Sequence, residues 1–218
     1  MAPLQLSQLL AFLPAAIVLT VSPGPDNLMV LSIGISRGRL CGLAFGLGCA
    51  LGCLSHTFLA AVGVSALIAA SPVLFTALRF AGGAYLVWLG IGALRSRGSS
   101  FEASSDAGGT GDRGGATRSL RGLFARGLLA NAINPKVILF FLAFLPQFVD
   151  RARGGVGVQT AQLGIVFTTV SAILFGALGW FSGHVGAWLQ RSPRSGMWLD
   201  RLAGSVFVTL GSRLIVSR

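Results

Sequence analysis

Proline interrupts two long apolar segments of this chain, and these interruptions constrain the fold most. The first is Ser22-Pro23-Gly24-Pro25-Asp26-Asn27, and its later counterpart is Asn131-Ala132-Ile133-Asn134-Pro135-Lys136. Because proline lacks a backbone N–H, the helical hydrogen-bond ladder opens at both places. Open backbone at membrane depth is tolerated only where protein or a water-filled cavity satisfies its polar groups. The sequence therefore predicts two broken helices in corresponding halves, the pattern that marks a transporter's binding site.

Composition places the chain in a membrane. Of its 218 residues 53% are hydrophobic and only 11% are charged, and its mean hydropathy is +0.77. A soluble domain has about 25% charged residues. The net charge of +11 comes from arginines that lie between apolar runs rather than in one basic stripe. This placement argues against a nucleic-acid partner and is typical of a protein inserted in a lipid bilayer.

Windows of about 20 apolar residues predict five or six membrane spans. They cover about 6–36, 40–70, 72–94, 123–149, 156–189 and 197–216. The sixth is the weakest because Arg201 and Arg213 lie close together within it. The predicted fold is an all-α integral membrane protein with six, or alternatively five, transmembrane helices, of which helices 1 and 4 are broken.

The two halves of the chain resemble each other. Residues 83–90 in the third span and 204–211 in the sixth both have glycine at each end and leucine before the second glycine. Three spans per half require opposite insertion, so we predict two inverted three-helix repeats within one transmembrane domain. The repeats cover 1–97 and 119–218. Between them, 98–118 is rich in glycine and serine and is predicted to be a flexible cytoplasmic loop. Both termini then lie outside if all six segments cross, and only the C-terminus changes side if the sixth does not.

Each break carries the only ionisable side chain deep in its segment, Asp26 or Lys136. At ~1.5 Å per residue, Asp26 lies about 16 Å from Arg37, and Lys136 lies about 15 Å from Arg126. Both distances are close to half of a ~30 Å hydrocarbon core. A charge at that depth costs ~2.5–3.5 kcal/mol, so we expect Lys136 to bind a substrate carboxylate and Asp26 an ammonium or a proton. The alternative is a structural ion pair between the two.

The sequence also predicts where the half-helices begin. Asn134 is a favourable cap and Pro135 a favourable first residue, and Gly24-Pro25 or Ser22-Pro23 has the same role in the first half. The unpaired N–H groups at such starts favour a carboxylate.

One face of the second predicted span carries a possible metal site. Cys49, Cys53 and His56 lie at helical spacing and could bind a soft metal, which makes a heavy-metal or cation exporter the alternative function. Packing is the simpler reading, because no fourth ligand lies nearby. No membrane segment has paired acids, His56 and His184 stand alone, and no nucleotide-binding loop occurs. We therefore expect neither an enzyme nor a cofactor.

These motifs together resemble the LysE/RhtB family of amino-acid exporters. The resemblance rests on 22–27, 38–48, 83–90, 134–136 with 140–141, and 145–149, and it covers nearly the whole chain outside the loop. It implies a multi-pass bacterial inner-membrane exporter of amino acids or derivatives such as homoserine lactone, threonine, leucine, lysine or arginine. An ion gradient, expected to be of protons, would drive it. The substrate-binding positions it implies are Pro23, Gly24, Pro25, Asp26, Asn27, Asn134, Pro135 and Lys136. The particular substrate and whether the protein forms a homo-oligomer stay open.

Overall fold

The computed structural model of this protein describes residues 4–22, 24–96, 119–191 and 193–216, and these contain helices and no strand. The helices are α1 (Leu6–Val21), α2 (Pro25–Arg37), α3 (Arg39–Ala70), α4 (Pro72–Arg95), α5 (Leu120–Ala132), α6 (Pro135–Leu139), α7 (Val156–Trp180), α8 (Ser182–Arg191) and α9 (Pro193–Val216). A π-helical turn (Phe140–Phe144) and two 3-10 turns (Leu145–Phe148, Arg151–Arg153) lie between α6 and α7. Pro23 and the predicted loop 98–118 lie outside the described residues.

The described helices are those of a multi-pass membrane protein. Arg39–Gly63, Val73–Arg95 and Val156–Trp180 are each long and apolar enough to span a membrane. Two bent pairs also qualify: α1 with α2 at 54°, and α5 with Pro135–Phe148 at 51°. The predicted breaks in helices 1 and 4 are therefore confirmed. α9 is 24 residues long but is not apolar enough to qualify, so its crossing stays a prediction.

The predicted fifth span, 156–189, was wrong as a single helix. α7 ends at Trp180, and a separate helix, α8, starts at Ser182. The 25 residues of α7 extend about 38 Å, so the chain has already crossed a ~30 Å core when it reaches Trp180. The guanidinium of Arg39 lies 4.2 Å from the Trp180 ring centre, a pairing suited to a membrane boundary.

Glycine allows α3 to pack tightly against both α5 and α7. A methyl group on Gly48 would collide with the Phe124 carbonyl of α5, and one on Gly127 would collide with the Phe45 carbonyl of α3. On the opposite side, a Cβ on Gly42 would lie 3.1 Å from the carbonyl oxygen of Gly179. Such small-residue seams let backbones approach where lipid supplies no hydrophobic drive between helices. α3 is thereby fixed beside both broken segments.

α4 and α9 meet through the glycines at the ends of 83–90 and 204–211, the two segments that resemble each other in sequence. A Cβ on Gly90 would lie 2.7 Å from the oxygen of Gly204, and the reverse distance is also 2.7 Å. Gly83 and Gly211 make the same reciprocal contact, at 3.0 and 2.6 Å. Reciprocal contacts are what two elements related by a two-fold axis make. They support the inverted-repeat interpretation, whose boundaries remain predictions.

A cluster of phenylalanine rings fills the space beside α6. Phe140, the first residue of the π-helical turn, lies 5.2 Å from Phe144 and 5.1 Å from Phe167, measured between ring centres. Phe144 in turn lies 5.2 Å from Phe148. All except Phe148 are at least 98% buried. This aromatic cluster separates the centre of the bundle from the end that carries the Arg151–Arg153 turn.

Candidate functional site

The two helix breaks place Asp26 and Lys136 at equivalent positions. α2 begins at Pro25 after an extended Gly24 (φ −172°), and α6 begins at Pro135 after Asn134, whose Oδ1 accepts a hydrogen bond from the Lys136 N–H at 3.0 Å. Both charged residues are thus second in their half-helix, as the sequence predicted. A helix N-terminus favours a carboxylate and opposes an ammonium. Lys136 is therefore not placed there for the stability of α6.

Lys136 is held by the first break. Its Nζ donates to the Ser22 carbonyl oxygen at 2.9 Å and to Ser22 Oγ at 2.5 Å, and the side chain is only 7% exposed. Gly24 leaves it room, because a Cβ there would lie 3.3 Å from Nζ. It is the only lysine in the sequence, against sixteen arginines. A compact ammonium, rather than a planar guanidinium, therefore occupies this site.

Asp26 is held by the second break. Its Oδ2 accepts a hydrogen bond from Asn131 Nδ2 at 2.7 Å, and the side chain is 4% exposed. The Asn131 carbonyl oxygen lies 3.0 Å from His56 Nε2, and its Oδ1 accepts from Cys53 Sγ at 3.5 Å. Within the described residues, Asp26 and Lys136 form no direct ion pair; each is bonded to the opposite break. The structural ion pair considered above is thus not what this structure contains.

A small cavity lies between the two charges. Its volume is about 20 Å³, close to that of a single water molecule. Five of the eight predicted residues line it: Gly24, Asp26, Asn27, Asn134 and Lys136. Pro25 and Pro135 are exposed and do not line it, and Pro23 lies outside the described residues. The prolines shape the breaks, whereas their neighbours form the wall.

Several polar residues of the site were not among the predicted ones. Ser22 and Asn131, which bond the two charges, lie within the proline motifs, and that membership was the signal that could have identified them. Thr20 and Ser171 also line the cavity, with their hydroxyl oxygens 3.3 Å apart, and the Thr20 carbonyl accepts from Asn27 Nδ2 at 2.8 Å. From the sequence alone, a small hydroxyl residue in an apolar helix that lines a cavity cannot be distinguished from one that packs against a neighbouring helix.

The possible metal site does not form in the described part of the chain. No group of three or more His, Cys, Asp or Glu side chains is arranged there to hold a metal ion. His56 instead contacts the Asn131 carbonyl, and Cys49 is fully buried where α3 packs on its neighbours. These residues support α5 beside the break.

Comparison with known proteins identifies the family. The protein-family model described as LysE type translocator matches residues 17–218. A leucine efflux protein of Klebsiella pneumoniae is 30% identical over 94% of this chain and 93% of its own length. A homoserine/homoserine lactone efflux protein of Salmonella typhi is 29% identical, with 95% and 96% covered. An uncharacterized membrane protein of Vibrio cholerae is 32% identical, with 96% and 97% covered.

No solved structure matches the chain. The family match and the relatives nevertheless extend over nearly its full length, including both helix breaks and the residues that line the cavity. The helices that surround those breaks are long and apolar enough for a membrane. This chain is thus a multi-pass membrane protein that belongs to the LysE type translocator family.

Proposed function

We propose that this protein exports amino acids or small amino-acid derivatives across the bacterial inner membrane, as a secondary transporter and not as an enzyme. One observation carries the proposal. Two buried side chains of opposite charge, Asp26 and Lys136, line one cavity at the meeting point of two broken helices. The family match and relatives named for leucine and homoserine efflux support the same class of substrate.

The charges suit a zwitterion because each keeps bonding capacity. Ser22 takes two of the three N–H donors of Lys136, and Asn131 bonds only one oxygen of Asp26 in the described part of the chain. A substrate carboxylate can therefore bind at Lys136 while its ammonium binds at Asp26. A hydrogen bond to a charged group contributes roughly 1.5–3 kcal/mol. A molecule with only a carboxylate or only an ammonium gains one of these contacts, so the arrangement favours molecules that carry both groups.

The cavity must widen to admit a substrate. Its volume of about 20 Å³ is far below the ~300–1,000 Å³ of small-molecule sites. The breaks supply the joints, because Gly24 and Asn134 have extended backbone between helical segments. Rocking of the half-helices about these joints would open the site to each side in turn. A proton on Asp26, after the substrate leaves, would couple export to the ion gradient.

An efflux screen tests the proposal. Cells expressing the wild type, Asp26→Asn or Lys136→Met are loaded with each amino acid, and the loss of label is followed over time. Arg126→Gln, which removes an exposed charge from α5, is the matched control. We expect export of at least one amino acid by the wild type and the control. Loss of one charged contact, about 1.5–3 kcal/mol, reduces it roughly 10- to 150-fold in the two site variants.

The proposal fails if no amino acid or derivative leaves faster than from cells without the protein. It also fails if both site variants, inserted at wild-type levels, transport as well as the control does.

A further inference from the structure

A second, larger opening lies at the end of the bundle that carries the Arg151–Arg153 turn. It is a groove of about 1,130 Å³ between α1, the start of α4 and the end of α9. Its walls are largely apolar, and three arginines from separate segments line it: Arg79, Arg151 and Arg213. This end is the predicted outer side of the membrane. Flanking arginines are disfavoured on that side, so three of them around one groove call for an explanation.

Within the described residues, none of the three arginines forms an ion pair with a carboxylate. The Arg151 guanidinium lies 4.6 Å from the ring centre of Phe75, another wall residue. Arg79 lies two turns inside α4, and its buried Nε has no hydrogen-bond partner in the described residues. An ionisable side chain within a membrane span marks a functional site by default.

One carboxylate, that of Asp150, also lines the groove, and it already accepts a hydrogen bond from the backbone. Asp150 Oδ1 accepts a hydrogen bond from the Ala152 N–H at 3.0 Å, which caps the turn that carries Arg151. The fully buried Gln159 fixes the same residue, accepting from its N–H at 3.0 Å and donating to its carbonyl at 2.9 Å. The groove thus combines three positive charges with one negative charge, on a turn held in place by hydrogen bonds to the buried Gln159.

The groove and the central cavity follow one another along α1. It follows α1 from Ser7 to Val18, and the next two residues, Leu19 and Thr20, line the cavity. Between the two openings lies the aromatic cluster, with Phe144 in the wall of the groove and Phe167 in the wall of the cavity. Phe140, at the start of the π-helical turn, contacts both rings. A shift of that turn would therefore connect the two spaces.

We propose that this groove is a second binding site, an outer vestibule in which Arg79, Arg151 and Arg213 bind the carboxylate of the exported solute after it leaves Lys136. The inference rests on the proposed export function. Guanidinium groups suit this task because their donors match the geometry of a carboxylate. The vestibule gives the solute a second carboxylate site on its way out, and it also predicts that external solute competes for that site.

The test uses proteoliposomes loaded with labelled leucine, or with whichever amino acid the efflux screen returns. External unlabelled leucine is added, and the concentration that halves efflux is measured for the wild type, Arg79→Gln and Arg213→Gln. Arg201→Gln, an exposed charge near the other end of α9, is the control. We expect the half-inhibiting concentration to rise about tenfold in the two vestibule variants, because one charged hydrogen bond is lost. It should stay unchanged in the control, with internal KM unchanged in all four.

Other outcomes overturn the inference in distinguishable ways. Equal half-inhibiting concentrations in all four proteins, with normal wild-type efflux, would refute the vestibule and leave the export function intact. Wild-type protein without any amino-acid efflux would refute both. If native mass spectrometry instead finds a phospholipid whose retention is lost in the Arg79 and Arg213 variants, while external inhibition is unchanged, the groove is a lipid site.

Discussion

Replacing Asn131 with leucine tests the link between the two helix breaks. Asn131 is 1% exposed, and its Nδ2 donates to Asp26 Oδ2 at 2.7 Å. Leucine has a similar branched shape but cannot donate, so the buried carboxylate loses its side-chain partner. A hydrogen bond to a charged group contributes roughly 1.5–3 kcal/mol. We expect the free energy of unfolding to fall by about that amount.

Thermal unfolding of the purified protein measures this loss. At roughly 2–4 °C per kcal/mol for a chain of this size, the melting temperature should fall by about 3–12 °C. Gln162→Leu is the matched control, because the buried Oε1 of Gln162 has no hydrogen-bond partner in the described residues. Removing an unpaired polar atom is neutral or stabilising. The control should therefore melt at or above the wild-type temperature.

Efflux should also weaken in Asn131→Leu, since the Asp26 carboxylate is no longer oriented toward the cavity. If Asn131→Leu melts and transports like Gln162→Leu, the contact between Asn131 and Asp26 neither stabilises the fold nor orients the carboxylate.

Three further predictions concern space around the site and the helix seams. Gly24→Ala should fold normally, because its φ of −172° suits any residue, but its methyl group 3.3 Å from Lys136 Nζ should raise the KM for efflux about tenfold. Lys136→Arg should abolish efflux despite its charge, because the Lys136 ammonium is held directly by Ser22, where a larger, planar guanidinium does not fit. Gly127→Ala should destabilise the protein by about 1–3 kcal/mol in thermal unfolding, because its methyl group collides with the Phe45 carbonyl. Gly122→Ala, whose methyl would sit an ordinary 3.7 Å from Ser119, should not.

The sequence was sufficient to predict the centre of this site because its determinants are local. Proline excludes a continuous helix, and Asn134 caps the following residues by itself, so both breaks and both half-helix starts follow from short motifs. The burial of Asp26 and Lys136 follows from their depth in apolar segments. Their proximity needed only that broken helices meet where their open backbones can be satisfied.

Other parts of the site depend on tertiary packing and carry no local signal. Ser171 reaches the cavity only because α7 packs beside α1, and a serine in an apolar helix reads equally well as a packing residue. The division of the fifth span after Trp180 is an exception, because α8 is much less apolar than α7 and that fall in hydropathy marks the end of the crossing. The groove arginines lie far apart in sequence, and only the bundle brings Arg79, Arg151 and Arg213 together.

The central claim is that Lys136 and Asp26 bind the two ends of the substrate. Analogues that lack either the carboxylate or the ammonium test it most directly. Inhibition of efflux by the exported amino acid, by its amide and by its deaminated acid is compared in the wild type, Lys136→Met and Asp26→Asn. We predict that Lys136→Met loses the preference for the amino acid over the amide, and that Asp26→Asn loses the preference for the amino acid over the deaminated acid. Each variant should keep the other preference. If both variants keep both wild-type preferences, these two side chains do not bind the ends of the substrate.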